Sequence, residues 1–190
     1  MRLPEVVMKL SKAVVLVLSM VLLACLGFAC AGASTVKIGM LSPQTGPIAQ
    51  FAPGFDSAGK VALAELNETH AGEFVFELIV GDSGCDGTTA ATAAQTLIDS
   101  GVSVIVGAAC SGASTAAVAV AAPAGVPMIS YASTSPALTT IQDNGHFFRV
   151  VPSDAQQAVA LTEVAAAAGV SNPAVLYMTC LLYTSDAADE

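Results

Sequence analysis

The chain has 190 residues, of which 54% are apolar but only 5% aromatic, and its formal charge is −9. That much apolar side chain can offset chain entropy, which excludes a disordered protein and predicts a tightly layered core rich in alanine and valine. The acidity excludes nucleic-acid partners: past the first dozen residues only Lys37, Lys60 and Arg149 stand against fourteen acids, a net charge of −11.

Arg2, Lys9 and Lys12 precede an uncharged run from Ala13 to Val36. Its strongly apolar part, Ala13 to Phe28, has the length of a signal h-region. Ala31-Gly32-Ala33 offers an A-x-A cleavage site that makes residues 1–33 an export signal and Ser34 the mature start. Leu22-Leu23-Ala24-Cys25 resembles a lipobox, in which case Cys25 is lipidated and retained. An uncleaved anchor is a third reading, because the uncharged stretch is long enough to span a bilayer. Export to a periplasmic or other extracytoplasmic space is the expectation. In such a compartment Cys85 and Cys110 either form a bridge or remain two buried thiols, and spacing does not separate the two.

Beyond the signal, strand-like and helix-like segments alternate. Val36–Leu41 reads as a strand running into the turn-rich Ser42-Pro43-Gln44-Thr45-Gly46-Pro47. Phe55, Ala58, Ala62 and Leu66 recur at spacings of three and four and mark one helix face. Phe74–Val80 is a second strand, and Ala90, Ala94 and Leu97 line a helix that stops at Gly101. Val102–Val106 is a continuously apolar strand of the kind covered on both faces. Ser111 is read as the N-cap of a helix through Ala122, followed by a strand over Val126–Tyr131. Ser135-Pro136 opens a short helix. His146–Val151 is the next strand, and Ser153-x-x-Gln156 is a capping box for a helix ending at Gly169. Ala174–Met178 is the last strand. The rhythm predicts an α/β fold, a Rossmann-like parallel sheet with helices on both faces. Residues 34–150 then form a first lobe, 151–178 the start of an incomplete second lobe, and 179–190 a non-native tail without usable periodicity.

Ligands of open parallel sheets sit beyond the carboxyl ends of the strands. Two junctions there suit a small zwitterion. In Ala109-Cys110-Ser111-Gly112-Ala113-Ser114, small residues let a ligand approach free N–H groups at a helix start, and the Ser111 hydroxyl adds a donor. In Tyr131-Ala132-Ser133-Thr134-Ser135-Pro136, the Ala132 carbonyl and Thr134 hydroxyl can take an ammonium while the Thr134 N–H faces the anion. The bland alternative for each is a helix cap and tight turn that satisfies only its own backbone.

At these residues the chain resembles the periplasmic leucine/isoleucine/valine-binding proteins of ABC importers, which have the type I periplasmic-binding fold. The resemblance is carried by Ile38-Gly39 through Thr45-Gly46-Pro47-Ile48-Ala49-Gln50-Phe51 and by Asp82-Ser83-Gly84-Cys85-Asp86. It continues in Val106-Gly107-x-x-Cys110-Ser111-Gly112-x-Ser114, in Pro127 through Thr139, and in Phe148-Arg149-x-x-Pro152-Ser153-Asp154. It implies that Ser111 and Thr134 hold a ligand α-carboxylate, that Ala132 and Thr134 take its α-ammonium, and that Phe51 packs on the ligand. It also implies a Cys85–Cys110 disulfide. The implied whole is a monomer without a cofactor that delivers an amino acid of the branched-chain class, or a similar small polar ligand, to an ABC permease in the membrane. The family's second-lobe ligand contacts lie beyond Met178 and are missing here, which leaves selectivity open.

A sensory ligand-binding domain of the same fold, in a membrane receptor, is the nearest competing reading. A secreted hydrolase using Ser111 is the other. It would need a base, and the chain has only His70 and His146, no G-x-S-x-G elbow and no nucleotide-phosphate loop. No metal-ligand spacing is present, and Asp82 and Asp86 beside Cys85 are expected to be merely solvated acids.

Overall fold

The computed structural model describes residues 33–174 together with Val14. The expected signal (bar Val14 and Ala33), the strand at Ala174–Met178 (bar Ala174) and the tail 179–190 lie outside the described residues. Apart from Ser34, the sheet and its helices fall within the unit that begins at Thr35.

Five strands form one sheet: β1 (Ser34–Ser42), β2 (Phe74–Asp82), β3 (Val104–Val106), β4 (Met128–Ser130) and β5 (Phe147–Arg149). Their order is β2-β1-β3-β4-β5, and the β1–β3, β3–β4 and β4–β5 ladders are parallel, with Ile38 opposite Val104 and Ser130 opposite Arg149. Among residues 33–174 the α-helices are α1 (Ala52–Thr69), α2 (Gly87–Asp99), α3 (Ser111–Ala121) and α4 (Asp154–Ala167). Short 3₁₀ turns at Ala49–Phe51 and Pro136–Thr139 complete the order. The expected α/β architecture is therefore the observed one.

Successive β1 residues show that helices cover both faces. A Cβ on Gly39 would meet Leu97 of α2 at 3.0 Å, whereas a Cβ on Gly59 of α1 would meet the sulfur of Met40 at 2.9 Å. Gly39 and Met40 point to opposite sides of a pleated strand, so α1 and α2 lie on opposite faces. The core gathers on the α2–α3 side, where Ala90, Ala94, Leu97, Ile105, Ala113, Ala117 and Met128 are all at least 98% buried. Alanines on both helices let the backbones approach closely, which is the small-residue layering expected from composition.

On the other face α1 buries only Ala52 completely. Its apolar stripe, Phe55, Ala58, Ala62 and Leu66, lines a cavity of about 470 Å³ shared with Ile38, Met40, Leu78, Val106 and Tyr131. The stripe falls where the spacing placed it, but it is not sealed. Helix α4 buries none of its residues, and Val159, Leu161 and Val164 stay exposed on it.

Three strands are shorter than their apolar runs, and hydrogen bonding gives the reason. Val102 N–H closes the end of α2 on the Leu97 carbonyl, and Val126 N–H closes α3 on Ala121, so neither joins the ladder. Pro127 has no N–H to give, and His146 N–H turns back to Asp143. Gly101, at φ +77°, follows the C-cap Ser100 as expected. Both sides of the Ser153–Gln156 capping box are made, and Ser135 caps the turn that Pro136 opens.

Candidate functional site

The strand order sets where a ligand crevice forms. From β1 the chain moves outward to β2, then returns to β3 and continues through β4 to β5 on the other side. The loops after β1 and β3 therefore leave the sheet in opposite directions, the arrangement at which open α/β sheets bind their ligands. Gly107, the first residue after β3, lies at φ +123°, and a Cβ there would sit 2.5 Å from the Leu41 carbonyl oxygen. A residue without a side chain is what lets the two strand ends lie so close at the switch point.

The loop after β3 and the loop after β4 are locked together by buried serines. Ser114, Ser130 and Ser133 are fully buried. The Ser114 and Ser133 hydroxyls lie 2.7 Å apart. Ser133 and Ser130 both donate to the Ala108 carbonyl, at 3.1 and 2.7 Å. Ser130 Oγ in turn accepts from the Ser133 N–H at 2.9 Å, and Ser114 Oγ accepts from the Ala108 N–H at 3.1 Å. A buried polar cluster of this kind is costly unless each member is paired, and its pairing fixes one relative placement of the two loops.

That placement brings Ser111 and Thr134 to one edge. Ser111 Oγ accepts from the Ser135 N–H at 3.1 Å, bridging the two loops directly. The N-cap of α3 is Cys110, not Ser111, and no side chain caps the helix. The expected capping role of Ser111 is thereby corrected: its hydroxyl turns across to the neighbouring loop instead of back onto its own helix. As an acceptor from Ser135, it keeps its own hydrogen for an outside partner. The first N–H groups of α3 have no intrahelical acceptor and carry the positive end of the helix dipole. Among the described residues, neither the Thr134 N–H nor its hydroxyl has a hydrogen-bond partner, and the Ala132 carbonyl accepts none. Thr134 and Ala132 are half-buried, while Ser133 and Ser135 between and beside them are buried. A cluster of unpaired donors beside one unpaired carbonyl is suited to a small carboxylate carrying a neighbouring ammonium.

Phe51 ends the 3₁₀ turn after β1 and is 55% exposed. The loop that leads to it is pinned by Asp82, which accepts from the Thr45 hydroxyl at 2.6 Å, the Thr45 N–H at 3.1 Å and the Gly84 N–H at 2.8 Å. Partial burial pushes the Asp82 carboxyl up, but the bonds from Thr45 and Gly84 outweigh this and hold it below its ordinary value. Asp86 caps α2 by accepting from the Thr89 N–H at 2.9 Å. The two acids are thus structural fasteners, contrary to the expectation that they are merely solvated. Cys85 and Cys110 are joined as a disulfide with their Cα atoms 5.3 Å apart, which ties the loop after β2 to the start of α3.

Tyr131 packs against Phe55 with the rings tilted and their centroids 4.9 Å apart, and donates to the Leu41 carbonyl at 3.0 Å. Burial, with the nearby Asp56 charge adding to it, raises its phenol well above the ordinary value, so the hydroxyl stays a donor. His70 packs edge-on against Phe76, and His146 Nδ1 lies 3.0 Å from the Asn144 carbonyl. Among the described residues, neither histidine is hydrogen-bonded to Ser111. Among the described residues, no group of three or more histidines, cysteines or acids is gathered as a metal site.

Sequence reasoning singled out both loops but missed their fasteners, the Ser114–Ser130–Ser133 cluster, Asp82 and Arg149. Serine at strand ends is a readable hint, yet it does not say which hydroxyls meet.

A parallel α/β lobe with unpaired donors at its switch-point edge has the form of a small-molecule-binding module. The chain belongs to the periplasmic binding protein family, whose model matches residues 35–188. This is a solute-binding family, not an enzymatic one, and its name implies a periplasmic or extracytoplasmic setting. The match overlaps the segment 179–190. Over 109 residues the chain is 30% identical to a leucine-, isoleucine-, valine-, threonine- and alanine-binding protein of Pseudomonas aeruginosa, covering 57% of this chain and 29% of that one. It is 34% identical to the branched-chain amino acid transporter substrate binding protein LivJ from Streptococcus pneumoniae, solved with isoleucine, at a TM-score of 0.58 over 64% of this chain and 35% of that one. A solute binding protein of an ABC transporter from Rhodopseudomonas palustris, solved with 3,4-dihydroxybenzoic acid, matches at 29% identity and a TM-score of 0.63, over 71% and 37%. The chain spans about a third of the length of these relatives.

Proposed function

We propose that this chain is the ligand-capturing first lobe, residues 34–150, of an extracytoplasmic binding protein that delivers a branched-chain amino acid to an ABC permease. Residues 151–178 begin a second lobe, and residues 1–33 direct export, with Cys25 as the alternative point of lipid attachment. The reading rests on one observation: the Ser111 Oγ–Ser135 N–H bond sets the free donors of the α3 start and of Thr134 beside each other. In this reading the α3 N-terminus, the Ser111 hydroxyl and the Thr134 N–H hold the α-carboxylate, and the Ala132 carbonyl and Thr134 hydroxyl take the α-ammonium. Phe51, 55% exposed, packs on the ligand from the third loop. Hinge closure of a second lobe over the ligand would complete the site and present the closed form to the permease.

A second reading has specific support. Isoleucine and 3,4-dihydroxybenzoic acid, the ligands of two relatives, share a carboxylate but not an ammonium. An aromatic carboxylate would use the same anion cradle and leave the Ala132 carbonyl idle. Calorimetry on the two-lobed full-length protein against leucine, isoleucine, valine and hydroxybenzoates decides between them. Binding of the aliphatic amino acids, weakened about tenfold or more by Thr134→Val through loss of hydrogen bonds to charged groups, supports the amino-acid reading. Silence toward every amino acid removes it.

A further inference from the structure

We propose that Arg149 is a positioning residue for ligand capture: its guanidinium holds the carbonyls on either side of Thr134 so that the Thr134 donors face the crevice. The proposal rests on the binding reading above. Arg149 lies on β5 opposite Ser130 of β4, at the point where the chain leaves the first lobe. One guanidinium nitrogen donates to the Ser135 carbonyl at 2.7 Å and to the Ser133 carbonyl at 3.4 Å, and the other donates to the Thr139 hydroxyl at 2.6 Å. All three of these contacts are uncharged oxygen atoms, so the cation spends its bonds on the shape of one loop.

Two further bonds set the orientation of the residue between those carbonyls. The Thr134 carbonyl accepts from the Asp154 N–H at 2.9 Å, at the first residue of α4, and the Ser135 N–H is committed to Ser111 Oγ at 3.1 Å. With both flanking carbonyls and its own carbonyl engaged, Thr134 is left with only its N–H and hydroxyl unpaired. The planar fork matters here, because one guanidinium reaches three oxygens in fixed directions whereas an ammonium is a point donor on a flexible stem. The same bonds also connect the ligand loop to the segment that leads into α4. Arg149 therefore stands between the captured ligand and the crossing to the rest of the protein.

The test has two arms. In the two-lobed full-length protein, Arg149→Met is expected to weaken binding of leucine or hydroxybenzoate, whichever the wild type takes, by about tenfold or more. Arg149→Lys should recover part of that loss and not all of it. In the ligand-free 190-residue chain, hydrogen exchange should speed up at the Ser135 and Asp154 amides of Arg149→Met and stay unchanged at the Ser133 amide, whose acceptor is Ser130. Binding within twofold of wild type, full recovery by lysine, or unchanged exchange at Ser135 and Asp154 would each overturn the proposal. A wild type that binds no carboxylate ligand would sink the transport reading instead, and the exchange arm would still decide the role of Arg149.

Discussion

Replacing Ser130 by alanine removes one oxygen atom from the centre of the serine cluster, and the structure sets what this should cost. Ser130 is fully buried, so water cannot take over its bonds. Its hydroxyl donates to the Ala108 carbonyl at 2.7 Å and accepts from the Ser133 N–H at 2.9 Å and the Ala132 N–H at 3.3 Å. The Ala108 carbonyl keeps Ser133 as a donor and is not orphaned. Among the described residues the Ser133 N–H has no other partner, and it is stranded in a fully buried position. A lost net bond costs about 1 kcal/mol and a stranded buried donor about 1–3, so the total is about 2–4 kcal/mol. For a chain of this size each kcal/mol lowers the melting temperature by about 2–4 °C, giving a fall of roughly 5–15 °C. Thermal unfolding followed by circular dichroism measures it. Thr115→Ala serves as the control, since that hydroxyl only bonds back to the Ser111 carbonyl within its own helix. A Ser130→Ala melting point within about 2 °C of wild type, or equal to that of the control, would refute the claim that the cluster fixes the two loops.

Other outcomes follow from the same geometry. Reducing the Cys85–Cys110 bond, or replacing both cysteines by serine, should destabilise the chain by roughly 3–4 kcal/mol, because the bridge closes a separation of 25 residues; denaturant melts with and without reductant check this. Asp82 carries a carboxyl held below its ordinary value of 3.8, so its contribution is present above that pH and lost as pH falls through the lowered value. Asp82→Asn should therefore melt lower at neutral pH yet lose less on acidification from pH 5 to 3 than wild type. Parallel pH profiles for the two proteins would refute the clamp. Gly107→Ala places a methyl group 2.5 Å from the Leu41 carbonyl oxygen at an unfavourable φ, and should cost about 3 kcal/mol or more or abolish soluble expression. Near-wild-type melting of the purified variant would show that the switch point can spread.

Much of this protein is written locally. The alternation of apolar runs with caps such as Ser153–Gln156 and Ser135-Pro136 fixed the element order, because capping and periodicity depend on residues a few positions apart. The same short range located the loops after Val106 and Tyr131, and the expectation of export rests on charge and hydropathy at the N-terminus. Element ends were less legible, since Val102 and Val126 close helices with bonds that a continuous apolar run does not reveal. Only tertiary structure could decide that Ser111 bonds across to Ser135 instead of capping its own helix. The same holds for Ser114 meeting Ser133, and for Arg149 clasping the loop 14 and 16 residues before it. Those pairings depend on β3, β4 and β5 lying side by side, and a hydroxyl or guanidinium carries no mark of which distant carbonyl it will reach until the sheet has formed.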